Sequence, residues 1–394
     1  MKTQFPPLMD ILKQIPDPRQ PKGKRYSLAS ILALVCMANM CGYKSYSTIS
    51  EWGKNYGSQM LKVLGFRPRA KGKRLRPPCA ATLNKLFRRL ELKALESKLS
   101  QWAEQLLSLL PPPPSESEKE EAFAFAIDGK TLRGSQKQGA SICHLLSLVG
   151  HRLGLTLIQE GVDNQTNEIP IAEEVLKGLL LEGRLKGRIF TMDAILTQKE
   201  IAQTIVEGEG NYVMYVKGNQ ARLLEDIALM FEDETECGDT KTMAQTTDIG
   251  HGRIETRRIT TSDGLVGYSH WPGLAQVFKL ERDVIFKKSG QERKEVVYGV
   301  TSLSMKKADA SRLLNLTRSH WSIENKVHWV RDVTFDEDRS QVRCGSIPQV
   351  MATMRNLAIG LMRFAGESNI ASACRKFAAK PYLALALMGI SLEK

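Results

Sequence analysis

The chain has 394 residues, 42% of them apolar and 25% charged, the make-up of a globular protein long enough for two or three domains. Its net charge is +13, and residues 1–100 hold 20 Lys and Arg against 5 Asp and Glu, so the remainder is close to neutral. The longest apolar run, Leu28 to Cys41, is too short for a membrane span, and seven scattered cysteines with no CxxC pair argue against a disulfide or zinc scaffold.

A basic first third on a near-neutral remainder predicts a polyanion-binding module joined to something else. No stretch near the start reads as a signal peptide, and a reduced, cytoplasmic, nucleic-acid-facing protein is expected. Residues 1–26 carry five prolines with Lys22, Lys24 and Arg25, the pattern of an irregular basic arm. Ser27 is placed to cap a helix running to about Cys41, with Gly42 as its stop. A second helix is expected from Ser47 to Tyr56. A basic loop from Arg67 to Pro78 precedes a long helix predicted from about Cys79 to Leu110. Its apolar stripe is Leu83, Leu86, Phe87, Leu90, Leu95 and Leu99, with Lys85, Arg88 and Arg89 opposite. Such elements suit a helix-turn-helix-like DNA reader and equally a plain helical bundle. Four prolines from Pro111 and a charged run to Glu121 read as a linker.

Beyond the linker, strands and helices alternate. Phe123 to Ile127 reads as a strand buried on both faces, ending on Asp128 with Gly129 closing it. Strands at Ile142–Val149 and Leu155–Val162 flank a hairpin-like His151-Arg152-Leu153-Gly154. Helices near 171–181, 198–207 and 221–231 alternate with a strand ending on Asp193 and another over Tyr212–Val216. This order is that of an RNase H-like domain, whose first and fourth strands are neighbours, so Asp128 and Asp193 are expected side by side. Residues 234–306 alternate with period two and contain a Ser289-Gly290 turn, predicting a β-rich insertion. Helical character returns near Asp309, runs through Asp332, and resumes at about 348–364 and 369–390. The expected fold is therefore α/β: a helical basic DNA-binding domain (1–110), a linker (111–121), and an RNase H-like catalytic domain (122–233 and 307–394) interrupted by the insertion (234–306).

Two strand-end aspartates can merely cap turns. In a chain this basic they point instead to phosphoryl transfer, in which carboxylates converge on Mg²⁺ or Mn²⁺ ions ~3.5–4 Å apart. One ion then activates water or a DNA 3′-hydroxyl and the other stabilises the departing oxygen. That chemistry needs a third acid after the insertion. Glu324 is favoured because on a helix His320, His328 and Arg331 share its face, while Trp321 and Trp329 look like packing residues. Glu255, Asp332 and the Asp336-Glu337-Asp338 cluster are rivals.

Several motifs then stand in a telling order. They begin with Asp17-Pro18-Arg19, Gly23-Lys24-Arg25-Tyr26 and Ala126-Ile127-Asp128-Gly129-Lys130-Thr131-Leu132-Arg133-Gly134. Asn167-Glu168-Ile169, Thr191-Met192-Asp193-Ala194 and Lys217-Gly218-Asn219-Gln220 follow. His251-Gly252-Arg253-Ile254-Glu255, His320-Trp321-Ser322-Ile323-Glu324-Asn325 and Asp332-Val333-Thr334-Phe335-Asp336 complete them. In these the chain resembles the ISAs-type, or H-repeat-associated, DDE transposases of bacterial insertion sequences, along nearly its whole length. The resemblance implies a catalytic, metal-holding triad of Asp128, Asp193 and Glu324 with two Mg²⁺ or Mn²⁺ ions. It also implies cutting of an element's inverted-repeat ends and their joining to target DNA, by at least a dimer on double-stranded DNA, in the bacterial cytoplasm at the nucleoid. A DNA nuclease that does not join, and a domesticated DNA-binding protein, are the alternatives.

In related transposases a Tyr-Arg-Glu-Lys signature surrounds the glutamate. Its spacing lands here on Thr317, His320, Glu324 and Arg331, so the first two positions depart from it and Arg331 carries over. Leu146-Ser147-Leu148-Val149 also departs from the usual Ser-Ala-Phe. Lys130, Arg133, Lys217, Arg253, His320, Lys326 and Arg331 are expected to contact DNA. Trp271 is a candidate for stacking on a flipped base, its alternative being a core aromatic.

Arg74, Arg76, Lys85, Arg88 and Arg89 are predicted to bind the terminal repeats. Neutralising each phosphate contact should lower the slope of log affinity against log salt by roughly one unit, measured by fluorescence anisotropy on the element's end. An unchanged slope places the DNA-binding face elsewhere.

Overall fold

The computed structural model describes residues 7–22, 24–68, 73–110, 123–136, 142–163, 166–232, 241–250 and 252–390. The expected linker, Gly23, Arg69, Lys71, Cys237 and His251 lie outside these residues. The N-terminal elements are helices: α1 (Leu8–Lys13), α2 (Leu28–Met40), α3 (Tyr46–Asn55), α4 (Gly57–Val63), α5 (Ala80–Phe87) and α6 (Leu92–Ser108). Then come β1 (Ala124–Leu132), β2 (Cys143–Gly150), β3 (Thr156–Val162), α7 (Glu168–Leu181), β4 (Ile189–Met192), α8 (Lys199–Glu207), β5 (Asn211–Val216) and α9 (Ala221–Glu232). Four longer strands follow, β6 (Lys241–Gly250), β7 (Arg253–Ser262), β8 (Gln276–Phe286) and β9 (Glu292–Thr301). The chain ends in α10 (Ala310–His320), α11 (Ile347–Phe364), α12 (Ile370–Ala379) and α13 (Pro381–Leu387). No described helix is long and apolar enough to cross a membrane.

These elements divide into two compact units, one of residues 1–111, 129–164 and 324–394, the other of 112–128 and 165–323. In the first unit α2 is buried along its whole length. A helix apolar all round belongs inside a core, and α2 packs against α11, which is buried over all but its last two residues. Ser27 caps α2 by accepting from the Ser30 amide, and Gly42 takes φ 82 just past its end. Ser45 and Thr48 form a capping box at the start of α3.

The long helix expected over Cys79–Leu110 is two helices, broken between Phe87 and Leu92. The apolar stripe explains the break. Leu83, Leu86, Phe87 and Leu90 keep helical spacing, but the five-residue step to Leu95 would swing the second stripe out of register with the first. Breaking the helix lets both stripes face the core, and all five residues are buried.

Helices α6 and α11 pack on β3, which pairs antiparallel with β2. At this junction Gln159 of β3 donates to Glu96 of α6 (3.2 Å), while Gln349 and Thr353 of α11 donate to the same carboxylate at 3.1 and 3.0 Å. A second polar cluster holds the 330s to α11. Glu337 is buried between Arg331 (2.7 Å) and Arg355 (2.5 Å), and Asp336, in the left-handed region at φ 54, turns the chain ahead of it.

In the second unit β1 pairs parallel with β4, and β4 parallel with β5. The β-rich segment does not form a sheet of its own. β9 pairs antiparallel with β5, and β8, β7 and β6 follow as an antiparallel meander, giving the order β1-β4-β5-β9-β8-β7-β6. Helix α10 lies across β7, β4 and β5, and Leu313, Leu314 and Leu316 meet Tyr215, Ile259 and Phe278 in one apolar core. Gly299 of β9 is required by a close approach: a Cβ there would collide with the Phe278 ring and lie 2.6 Å from the Met214 carbonyl of β5.

Burial pushes the Glu96 carboxyl from its ordinary 4.5 up to about 8, with the nearby Glu160 acting in the same direction. The folded protein therefore holds a proton that the unfolded chain has released, and stability should fall as pH rises from about 4.5 through about 8. Glu96→Gln should remove that slope, checked by denaturation midpoints at about pH 5 and about pH 9. Glu337→Gln should cost about 3–5 kcal/mol, since it leaves two buried guanidinium groups without their counter-charge. Urea unfolding measures that loss.

Candidate active site

The last shared rung of β1 and β4 is Ile127 against Met192. Asp128 and Asp193 are each the next residue, so parallel pairing sets the two acids at corresponding positions on neighbouring strands. β1 does not end at Asp128 as the sequence suggested. It runs on to Leu132 with Gly129 inside the strand, because the following residues are tied down in their turn.

Those ties account for the motif that follows Asp128. Lys130 is buried and bridges Asp332 at 2.6 Å. Gly134 sits where the 337–340 segment presses closest: a Cβ there would meet the Glu337 carbonyl and lie 2.8 Å from the Ser340 carbonyl. Lys130 is thus committed to Asp332, while Arg133 stays exposed.

The loop after Asp193 is strapped by the Lys217-Gly218-Asn219-Gln220 motif. Asn219 donates to the Ala194 carbonyl (2.7 Å) and Gln220 to the Thr197 carbonyl (3.0 Å). Thr197 in turn donates to the Tyr215 carbonyl at 2.6 Å. Lys217, half exposed, reaches Asp193 at 3.3 Å. Beneath this loop His320 is buried, its Nδ1 3.0 Å from the Thr191 hydroxyl. Burial pushes its imidazole down to about 4. It is therefore neutral at ordinary pH and packs in the core beside Tyr215 rather than offering charge to DNA.

In the first unit Glu324 opens two successive π-helical turns, Glu324–His328 and Val330–Thr334. Such wide turns are rare and recur at functional sites. Its carboxylate is largely exposed and lies 3.1 Å from Nδ1 of His328. The hydrogen bond to His328 first, then the charges of His328 and Lys130, hold Glu324 below the usual carboxylate range against the opposing effect of its partial burial.

Other expected contacts fall differently. Arg331 is fully buried on Glu337, and Lys326 is drawn onto the His151 carbonyl at 2.6 Å. Trp271 is only 4% exposed and is a core aromatic, whereas Trp321 and Trp329, expected to pack, are about half exposed. Among the rival acids, Glu255 is buried among Arg253, Arg257 and Arg282 at 2.5–3.1 Å. Those arginines outweigh the effect of burial and hold its carboxyl low. Asp332 is taken by Lys130 and Glu337 by two arginines. Arg74, Arg76, Lys85, Arg88 and Arg89 are all exposed, as a DNA-binding role requires.

Residues 122–361 match the family described as Transposase DDE domain, and residues 9–103 match a DDE_Tnp_1-associated family. "Putative transposase YncI" of Escherichia coli O157:H7 is 28% identical over 90% of this chain and 87% of its own length. "H repeat-associated putative transposase YhhI" of Escherichia coli K12 is 27% identical over 90% of both chains. A solved piggyBac transposase synaptic complex with hairpin DNA aligns over 98% of this chain and 80% of its own at 10% identity, with a TM-score of 0.41. The first match spans well over half of the sequence, and the protein belongs to the transposase DDE domain family.

Proposed function

We propose that the protein is a DNA transposase that binds the terminal inverted repeats of an insertion sequence, cuts its ends and joins them to target DNA. The observation that carries the reading is the pair of aspartates one step past the last rung of β1 and β4. Parallel β1, β4 and β5, and an antiparallel β2–β3 hairpin, support an RNase H-like catalytic domain, with residues 1–110 as its basic DNA-binding part.

In this reading Asp128, Asp193 and Glu324 would hold two divalent cations, with His328 beside Glu324. The donors fit: carboxylate oxygens are the ligands that Mg²⁺ and Mn²⁺ prefer, and Glu324 is biased toward its ionised form. When bound, the ions polarise the scissile phosphate and make the attacking hydroxyl acidic. The chain's own residues do the rest. The Asn219 and Gln220 straps fix the backbone behind Asp193, and His328 orients the Glu324 carboxylate. Lys217, beside Asp193, would meet a DNA phosphate. Two element ends must be held together, so the working form is at least a dimer on DNA.

Strand transfer of a labelled element end by the purified protein with Mg²⁺ tests this. Asp193→Ala and Glu324→Gln should fall to background for both cutting and joining. His328→Ala should need about 10-fold or more Mg²⁺ for half-maximal rate. Cutting without joining identifies a nuclease, and full activity in Asp193→Ala overturns the triad.

A further inference from the structure

We propose that a basic cleft in the first unit is a groove for the phosphodiester backbone of DNA, built jointly by the N-terminal helices and the segment after the Glu324 turns. The inference rests on the transposase reading. The cleft has a volume of about 750 Å³. The start of α3 and the length of α5 form one wall, and residues between 335 and 344 the other. Lys44, Lys85, Arg88, Arg339 and Arg343 line it, against Asp336 as the acid.

These cations are poorly compensated. Lys85 and Arg88 are exposed and make no ion pair among the described residues, and Arg339 reaches Asp336 only at 3.8 Å. Arg343 is exposed and is anchored through Nε to the Gly134 carbonyl at 3.1 Å. Like charges converging in a concavity repel one another and focus the field there, an arrangement that a polyanion relieves. The wall adds partial positive charge, since α5 begins at Ala80 with no side-chain cap.

A polymer fits better than a single phosphate. A second basic cleft of about 730 Å³, lined by Arg19, Arg25, Lys54, Arg74 and Arg76, also reaches the start of α5. Cys79 and Thr82 face that cleft, while Ala80 and Ala81 face the first. In this proposal the two clefts, whose linings include the neighbouring residues Cys79 and Ala80, take successive phosphates of one strand. The groove draws on both family-matched segments, 9–103 and 122–361, so the C-terminal segment shares in holding DNA. It assigns backbone contacts to Lys44, Arg339 and Arg343 in addition to Lys85 and Arg88.

Cys344 lines the cleft and reports on it without mutation. With full-length wild-type protein and a duplex carrying the element's end, DNA should slow iodoacetamide alkylation of Cys344 several-fold, read by peptide mass spectrometry. Arg339→Ala/Arg343→Ala should lower the salt slope of affinity by about two units. Lys177→Ala, on an exposed lysine of α7, should leave it unchanged. If wild type binds the duplex while Cys344 protection and the slope shift are both missing, the groove is overturned and the transposase reading stands. Preference for RNA of the same length overturns the DNA assignment. Wild type that binds no duplex overturns both.

Discussion

The four parallel rungs from Ala124–Ile189 to Ile127–Met192 are the constraint on which the candidate site depends. Their register is enforced by burial on both faces, since Ala124 to Ile127 and Ile189 to Met192 are all buried. Slipping one strand by a single residue would turn every side chain to the opposite face. It would also move one aspartate a full residue past the other. Apolar packing, not any property of the acids, therefore sets where the two carboxylates stand.

Around that register the protein places charge with different purposes. Lys130, Arg331 and Arg355 are buried with carboxylate partners and fix the course of the chain. Removing one partner of such a pair is costly, although the pair itself adds little net stability. Glu324, Lys217 and the cleft cations keep their charge at the surface, where it is available to a ligand. Burial thus sorts the basic residues into those that shape the fold and those left at the surface.

Much of this was legible in the sequence. The apolar runs before Asp128 and Asp193 gave both strands, and the Ser289-Gly290 turn gave the β8–β9 hairpin, with Gly290 at φ 68. What escaped depended on partners that helical or strand spacing does not name. Nothing local to Arg331 reveals that Glu337 neutralises it, and nothing local to His320 shows that its ring lies buried against Thr191. Trp271 is covered and Trp321 half exposed for the same reason, since one sequence position cannot say which face of an element is covered. The cleft cations Arg339 and Arg343 were hidden beside the Asp336-Glu337-Asp338 cluster, which makes that stretch look electrically balanced.

The missing side chain at Gly299 has a wider consequence. Phe278 fills the space above it, and the Met214 carbonyl of β5 closes the far side. β5 leads directly into Lys217, which touches Asp193. The added strands are thereby keyed into the parallel sheet like a wedge, and bulk introduced at Gly299 would be felt at an acid two strands away. An appendage joined this way cannot drift freely in sequence. It is held to the register of the strands it abuts.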